Sequence, residues 1–87
     1  MVVEVFAEPR AVYQRARERG RMLPTGLRYL DSWVDVQNLN RCFQLMETDD
    51  PDLFDAWVAE WRDLGDFEIV PVIGSAEAAA RILEGGW

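Results

Sequence analysis

A chain of 87 residues and 10.0 kDa, carrying nine Arg against sixteen Asp plus Glu for a formal charge of −7, has the size of one small acidic domain. Its 49% hydrophobic and 11% aromatic content is too apolar for a disordered acidic tail. It contains no His and no Lys, which removes Ser-His-Asp and Cys-His catalysis, His-ligated zinc or haem, Schiff-base chemistry and a phosphate-loop Lys from the reactions open to the isolated chain.

The opening segment MVVEVFAEPR is too short an apolar run for a signal peptide and lacks a preceding basic region. No stretch approaches the ~20 apolar residues of a membrane span. Cys42 has no second cysteine to pair with, in keeping with a reducing compartment, so a cytoplasmic location is expected. Without repeats, low-complexity tracts or a linker, residues 1–87 read as a single domain.

Along the chain, Val2 to Phe6 is a β-rich run closed by Glu8-Pro9, and Pro9 suits the first turn of a helix reaching about Arg19 before Gly20. Met22 to Gly26 carries turn residues, and Leu27 to Val36 alternates bulky and polar groups as a half-buried strand does. A four-residue turn, Gln37 to Asn40, leads into a strand from Arg41 to Glu47, so these two strands read as an antiparallel hairpin. In Thr48-Asp49-Asp50-Pro51 an Asp is placed to cap a helix, with Pro51 at its first position. Leu53, Trp57, Trp61 and Leu64 then form one apolar stripe, with Phe54 and Val58 beside it, ending at Gly65. Phe67 to Ile73 is an apolar strand whose Pro71 belongs at a sheet edge or bulge. Ser75 caps a last helix that Gly85-Gly86 stops.

The order β-α-β-β-α-β with a helical tail predicts an α+β, ferredoxin-like fold. Its four-stranded antiparallel sheet has the first and third strands at the centre and the helices on one face. Strict alternation puts Tyr29 and Trp33 on one face of the second strand, with Asp31 and Asp35, and Leu30, Val34 and Val36 on the other. In the third strand Phe43 and Leu45 oppose Cys42 and Met46. Both faces therefore carry apolar bulk, and a second copy of the sheet is the expected cover for the face that the helices leave open.

Three stretches, Gly20–Pro24 with Gly26–Trp33, Phe43–Pro51 and Trp61–Val72, resemble the domain-of-unknown-function 3303 family of the dimeric α/β-barrel superfamily, and the likeness runs over nearly the whole chain. The resemblance implies ferredoxin-like subunits joined sheet to sheet as a homodimer. That superfamily holds cofactor-free monooxygenases of aromatic polyketides, haem-degrading enzymes, isomerase-like proteins and members without known catalysis, so the fold by itself selects no activity. The haem-degrading branch relies on a His that is missing here.

Within such a fold Glu4 sits on a central strand between Val3 and Val5. There a carboxylate acquires a raised pKa and exchanges protons, or pairs with an Arg such as Arg28 or Arg41, or points out at the strand end. Trp33 and Trp61, with Tyr29, are the candidate walls of an aromatic ligand pocket, while Trp57 and Trp61 equally serve as core on the buried stripe. Cys42 reads as a small buried hydrophobe, no His or Lys being present to activate it. Glu47, Asp49, Asp50 and Asp52 read as capping and dipole complementation rather than a metal site. Charge is uneven, net +3 over residues 1–28 and net −10 over residues 29–87, so Arg10, Arg15, Arg17, Arg19 and Arg21 face either solvent and acidic surface of the same protein or an anionic ligand. An overall pI near 4.4 argues against nucleic acid. Two functions remain: a ligand-binding or accessory homodimer without metal or cofactor, taking a small apolar or aromatic molecule, and a cofactor-independent enzyme, monooxygenase-like or isomerase-like, with Glu4 as acid or base.

Overall fold

The computed structural model describes residues 1–85. β1 (Val2–Phe6) leads into α1 (Pro9–Arg19), where Pro9 supplies a backbone angle suited to the first turn. Gly20 closes the helix at φ 67°, its N–H bonded to the Ala16 carbonyl at 2.8 Å. β2 (Arg28–Val34) and β3 (Arg41–Glu47) form the expected hairpin. Its connection runs from Asp35 to Asn40, longer than the turn expected, because the Asp35 carboxylate and the Asn38 side chain bond backbone N–H groups of the loop itself.

α2 (Leu53–Ala59) starts beyond Pro51, the expected first position, and ends short of Trp61 and Leu64 of its stripe. Leu53, Phe54 and Asp55 donate to carbonyls three residues back, so Pro51 and Asp52 form a tight turn just ahead of the helix, and Asp50 accepts from the Asp52 N–H. After Trp61 the chain tightens into a 3-10 turn (Arg62–Leu64). β4 (Gly65–Ile69) then starts and ends earlier than the expected strand from Phe67 to Ile73. Gly65 opens it because a Cβ there would lie 2.6 Å from the Val5 carbonyl oxygen. At the other end Val70 donates to the Met1 carbonyl at 2.7 Å, and Pro71 has no N–H with which to continue the ladder. α3 (Ser75–Gly85) follows; the Gly86 half of the expected Gly85-Gly86 stop lies outside the described residues.

The sheet order is β2-β3-β1-β4 with every neighbour antiparallel, which is the ferredoxin-like arrangement with β1 and β3 central. Register places Glu4 opposite Cys42 and Phe67, and Val2 opposite Gln44 and Ile69. The even-numbered residues of β1 and β3 thus share the face covered by α1 and α2. Val2, Phe6, Cys42 and Met46 pack there with Val12, Leu27, Trp57 and Trp61 as the core. The opposite face carries Val3, Val5, Phe43 and Leu45, with Val5 47% exposed.

The β2 reading needs one correction. Tyr29 pairs with Met46 and Asp31 with Leu45, so Leu30 is an extra residue, a β-bulge, and the alternation reverses after it. Tyr29, Ser32 and Val34 therefore line up with the inner residues of β3, and Asp31 and Trp33 with the outer ones. Tyr29 and Trp33 do not share a face. Among the described residues no helix is long and apolar enough to cross a membrane.

Candidate functional site

Glu4 is the one carboxylate in the buried set, 4% exposed among Val2, Phe6, Cys42 and the two indoles. Alternation on a central strand puts it there: a residue between two outward valines must point under the helices. Neither Arg28 nor Arg41 reaches it. Arg28 pairs with Glu47 at 2.7 Å, and Arg41 lies over the Phe43 ring. Its partner is the side chain of Gln44, whose Nε2 donates to Oε1. No buried side-chain oxygen among the described residues lacks a partner, and only Oε1 of Glu4 is hydrogen-bonded, so Oε2 is left facing open space.

That space is a cavity of about 230 Å³ between the sheet and α1 and α2, bounded by Glu4, Phe6, Tyr13, Arg21, Trp57 and Trp61, with Cys42, Gln44, Ser32 and Val34 from the sheet. Burial pushes the Glu4 carboxyl up to about 7, against the Gln44 hydrogen bond and the Arg21 charge, which act in the opposite direction. Burial first, and then the charge of Glu4, push the Cys42 thiol up to about 11, so it is a neutral thiol and not a nucleophile at ordinary pH. Burial likewise raises the Tyr13 phenol.

Arg21 follows Gly20 in a loop that turns through positive φ at both Gly20 and Met22. Its carbonyl oxygen accepts from both indoles, Trp57 Nε1 at 2.9 Å and Trp61 Nε1 at 3.1 Å. Its guanidinium stacks 3.6 Å from the centroid of the Tyr29 ring, and the Tyr29 hydroxyl is held by Ser32 Oγ at 2.6 Å. Arg21 Nε also approaches Gln44 Oε1 at 3.5 Å. Among the described residues no carboxylate forms an ion pair with it.

Of the residues singled out in the sequence, Glu4 and Trp61 line the cavity. Trp57, read as core, does so as well while being only 2% exposed. Tyr29 stands behind Arg21 instead of in the wall. Trp33, beyond the bulge, is 49% exposed on the outer face, away from the cavity. In the acidic segment Glu47 pairs with Arg28, and Thr48 and Asp50 make hydrogen bonds that shape the turn into α2, whereas Asp52, at the N-cap position, makes no side-chain capping bond. Among the described residues no three His, Cys, Asp or Glu side chains converge as a metal site. Of the arginines on and after α1, Arg15 makes a bidentate pair with Asp63 at 2.7 and 2.8 Å. Sequence reading missed Gln44 and the special position of Arg21. The first is a neutral amide whose partner depends on register, and the second was one of five arginines in a run.

The sequence model of the family described as Domain of unknown function (DUF3303) matches residues 1–86. No curated protein and no solved structure matches.

Proposed function

The chain belongs to the DUF3303 family, and for it we propose the work of a small-molecule-binding domain that takes an apolar or aromatic ligand in the cavity between sheet and helices and acts as a homodimer. The observation that carries this reading is the open oxygen of Glu4 in a cavity walled by Phe6, Tyr13, Trp57 and Trp61. A buried carboxyl without a cationic partner is costly to keep, and here it is kept beside empty volume rather than in packed core. Size restricts the ligand. Drug-sized pockets run from about 300 Å³ upward, whereas an apolar void of about 150 Å³ accommodates benzene. About 230 Å³ therefore suits a single substituted ring.

The homodimer reading is supported by the outer face, where Val3, Val5, Phe43, Leu45 and Trp33 form apolar rows, with Val5 and Trp33 47% and 49% exposed. Arg41 lies on that face beside Phe43, and Asp66 and Glu68 on β4, so both signs of charge are available to a two-fold copy. A cytoplasmic setting accords with the free, buried Cys42 thiol.

A second reading, a cofactor-independent enzyme of monooxygenase-like or isomerase-like type, is favoured by one observation. The carboxyl of Glu4 titrates near neutrality and so exchanges protons readily at physiological pH. Binding is tested by adding phenol, toluene and benzoate to labelled protein and following indole N–H resonances. Saturable shifts at Trp57 and Trp61 with Trp33 unmoved are expected; no saturable shift with any of them sinks the ligand-binding reading.

A further inference from the structure

Two charged groups of opposite sign border the cavity and are not bonded to each other: Arg21 at its edge and Glu4 in its floor. Gln44 stands between them, giving its Nε2 proton to Glu4 Oε1 and its Oε1 to the long contact with Arg21 Nε. The guanidinium is held in advance, its backbone carbonyl gripped by both indoles and its plane laid on Tyr29, which Ser32 in turn fixes. Such a cation, with no carboxylate among the described residues in pairing distance, is ready to meet negative charge brought by a ligand. A ligand that arrived as an anion beside an ionised Glu4 would meet repulsion in a low-dielectric site. A ligand that arrives neutral and gives its proton to the open oxygen of Glu4 avoids that repulsion and leaves its own oxyanion to Arg21.

We infer that the cavity takes a weak acid of the phenol or enol class, one ring in size, and holds it as the anion, its O–H proton passing to Glu4 Oε2 while its oxygen faces Arg21. The O–H bond of the ligand breaks and its electron pair stays on the ligand oxygen; where Glu4 is ionised the proton forms an O–H bond on Oε2 and the total charge of the site is unchanged, and below about 7, where Glu4 already carries its proton, the ligand's proton goes to solvent. This rests on the small-molecule reading above. The groups that face Glu4 support it from each side. Tyr13 of α1 and Cys42 of β3 are neutral at ordinary pH, α2 presents Trp57, the segment after it Trp61, and β4 Phe67, so among the described residues Arg21 is the charge that acts on Glu4. The same inventory gives the pH dependence: the anion is held beside a protonated Glu4, so affinity falls on the alkaline side once free ligand and Glu4 are both ionised and a proton must be taken up on binding.

The probe is 4-nitrophenol, yellow as the phenolate and colourless as the phenol, with 4-nitroanisole as the same ring without an acidic proton. Binding is measured by calorimetry and ionisation by absorbance. At mildly acidic pH, where free 4-nitrophenol is mostly colourless, the wild-type protein is expected to turn it yellow on binding and to bind it at least tenfold more tightly than 4-nitroanisole. Arg21→Gln should lose the yellow form and Arg21→Lys recover part of it. Glu4→Gln should abolish the alkaline fall in affinity. If 4-nitrophenol binds colourless and no better than 4-nitroanisole, the proton-transfer inference is overturned while the ligand-binding reading stands; if neither probe binds, both fail.

Discussion

At the scale of single residues, Glu4 links function to stability in a measurable way. Its folded value of about 7 lies above the value of about 4.3 expected for an unfolded Glu. Between those limits the folded protein holds a proton that the unfolded chain has released, so the equilibrium shifts toward unfolding as pH rises. The favourable state is fully present below the unfolded value and is lost as pH climbs through 7. The difference amounts to at most about 4 kcal/mol. Urea unfolding should therefore give a lower stability at pH 8 than at pH 5 by about 2 kcal/mol. Glu4→Gln keeps the shape and can still accept from Gln44, so it should be flat over that range and more stable than wild type at the alkaline end. A wild-type profile as flat as the variant's would mean that the carboxyl is not a buried acid. That Glu4 lies on a central strand was legible in the sequence, but not which face it takes, since alternation leaves a residue two directions and both of its neighbours are valines. Gln44 and Arg21 were not, since one depends on the offset between two strands and the other on a loop that passes through positive φ at Gly20 and Met22.

At the scale of elements, the order and type of strands and helices were readable because each boundary has local chemistry: Pro9 at a first turn, Gly20 at φ 67°, the Asp50 side chain at the turn into α2. What failed was set by tertiary contact. The bulge at Leu30 inserts a residue without altering the local composition, yet it reverses every side chain beyond it, which is why Trp33 faces outward and Ser32 inward. The start of β4 was missed for a similar reason. Gly65 is read from sequence as a helix stop, but in the fold it lies where the backbone runs against Val5. Its φ of 176° is open to any residue, so space and not conformation demands glycine. Gly65→Ala should then destabilise by about 1 to 3 kcal/mol, because the methyl meets backbone that cannot step aside. Gly74→Ala is the control. A Cβ there meets nothing within 4 Å, and the substitution should be neutral within about 0.5 kcal/mol. Equal losses at both sites would assign the effect to chain flexibility and not to the approach of β4 to β1.

At the scale of the whole molecule, the chain is thin for its length. Its extents are 47 × 33 × 18 Å and its radius of gyration is 15.0 Å, against about 12 Å for a compact chain of this length. One sheet with one helical layer accords with the short dimension, and α3 has no buried residue. A domain of this size buries only about 60% of the surface its unfolded chain exposes. Covering the outer face with a second sheet about 10 Å away would add a second core of Val5, Phe43, Leu45 and Trp33 without disturbing the cavity, which lies on the other side of the sheet. Static light scattering at micromolar concentration should accordingly give a mass near twice 10.0 kDa. Leu45→Arg places a charge in the middle of that face, and it should give a monomer with unchanged far-ultraviolet circular dichroism and intact 4-nitrophenol binding. A wild-type protein that is already a monomer ends the sheet-to-sheet reading. A Leu45→Arg protein that stays dimeric moves the interface elsewhere, and the exposed apolar residues of the C-terminal segment, Val72, Ile73, Ile82 and Leu83, are then the surface to substitute next.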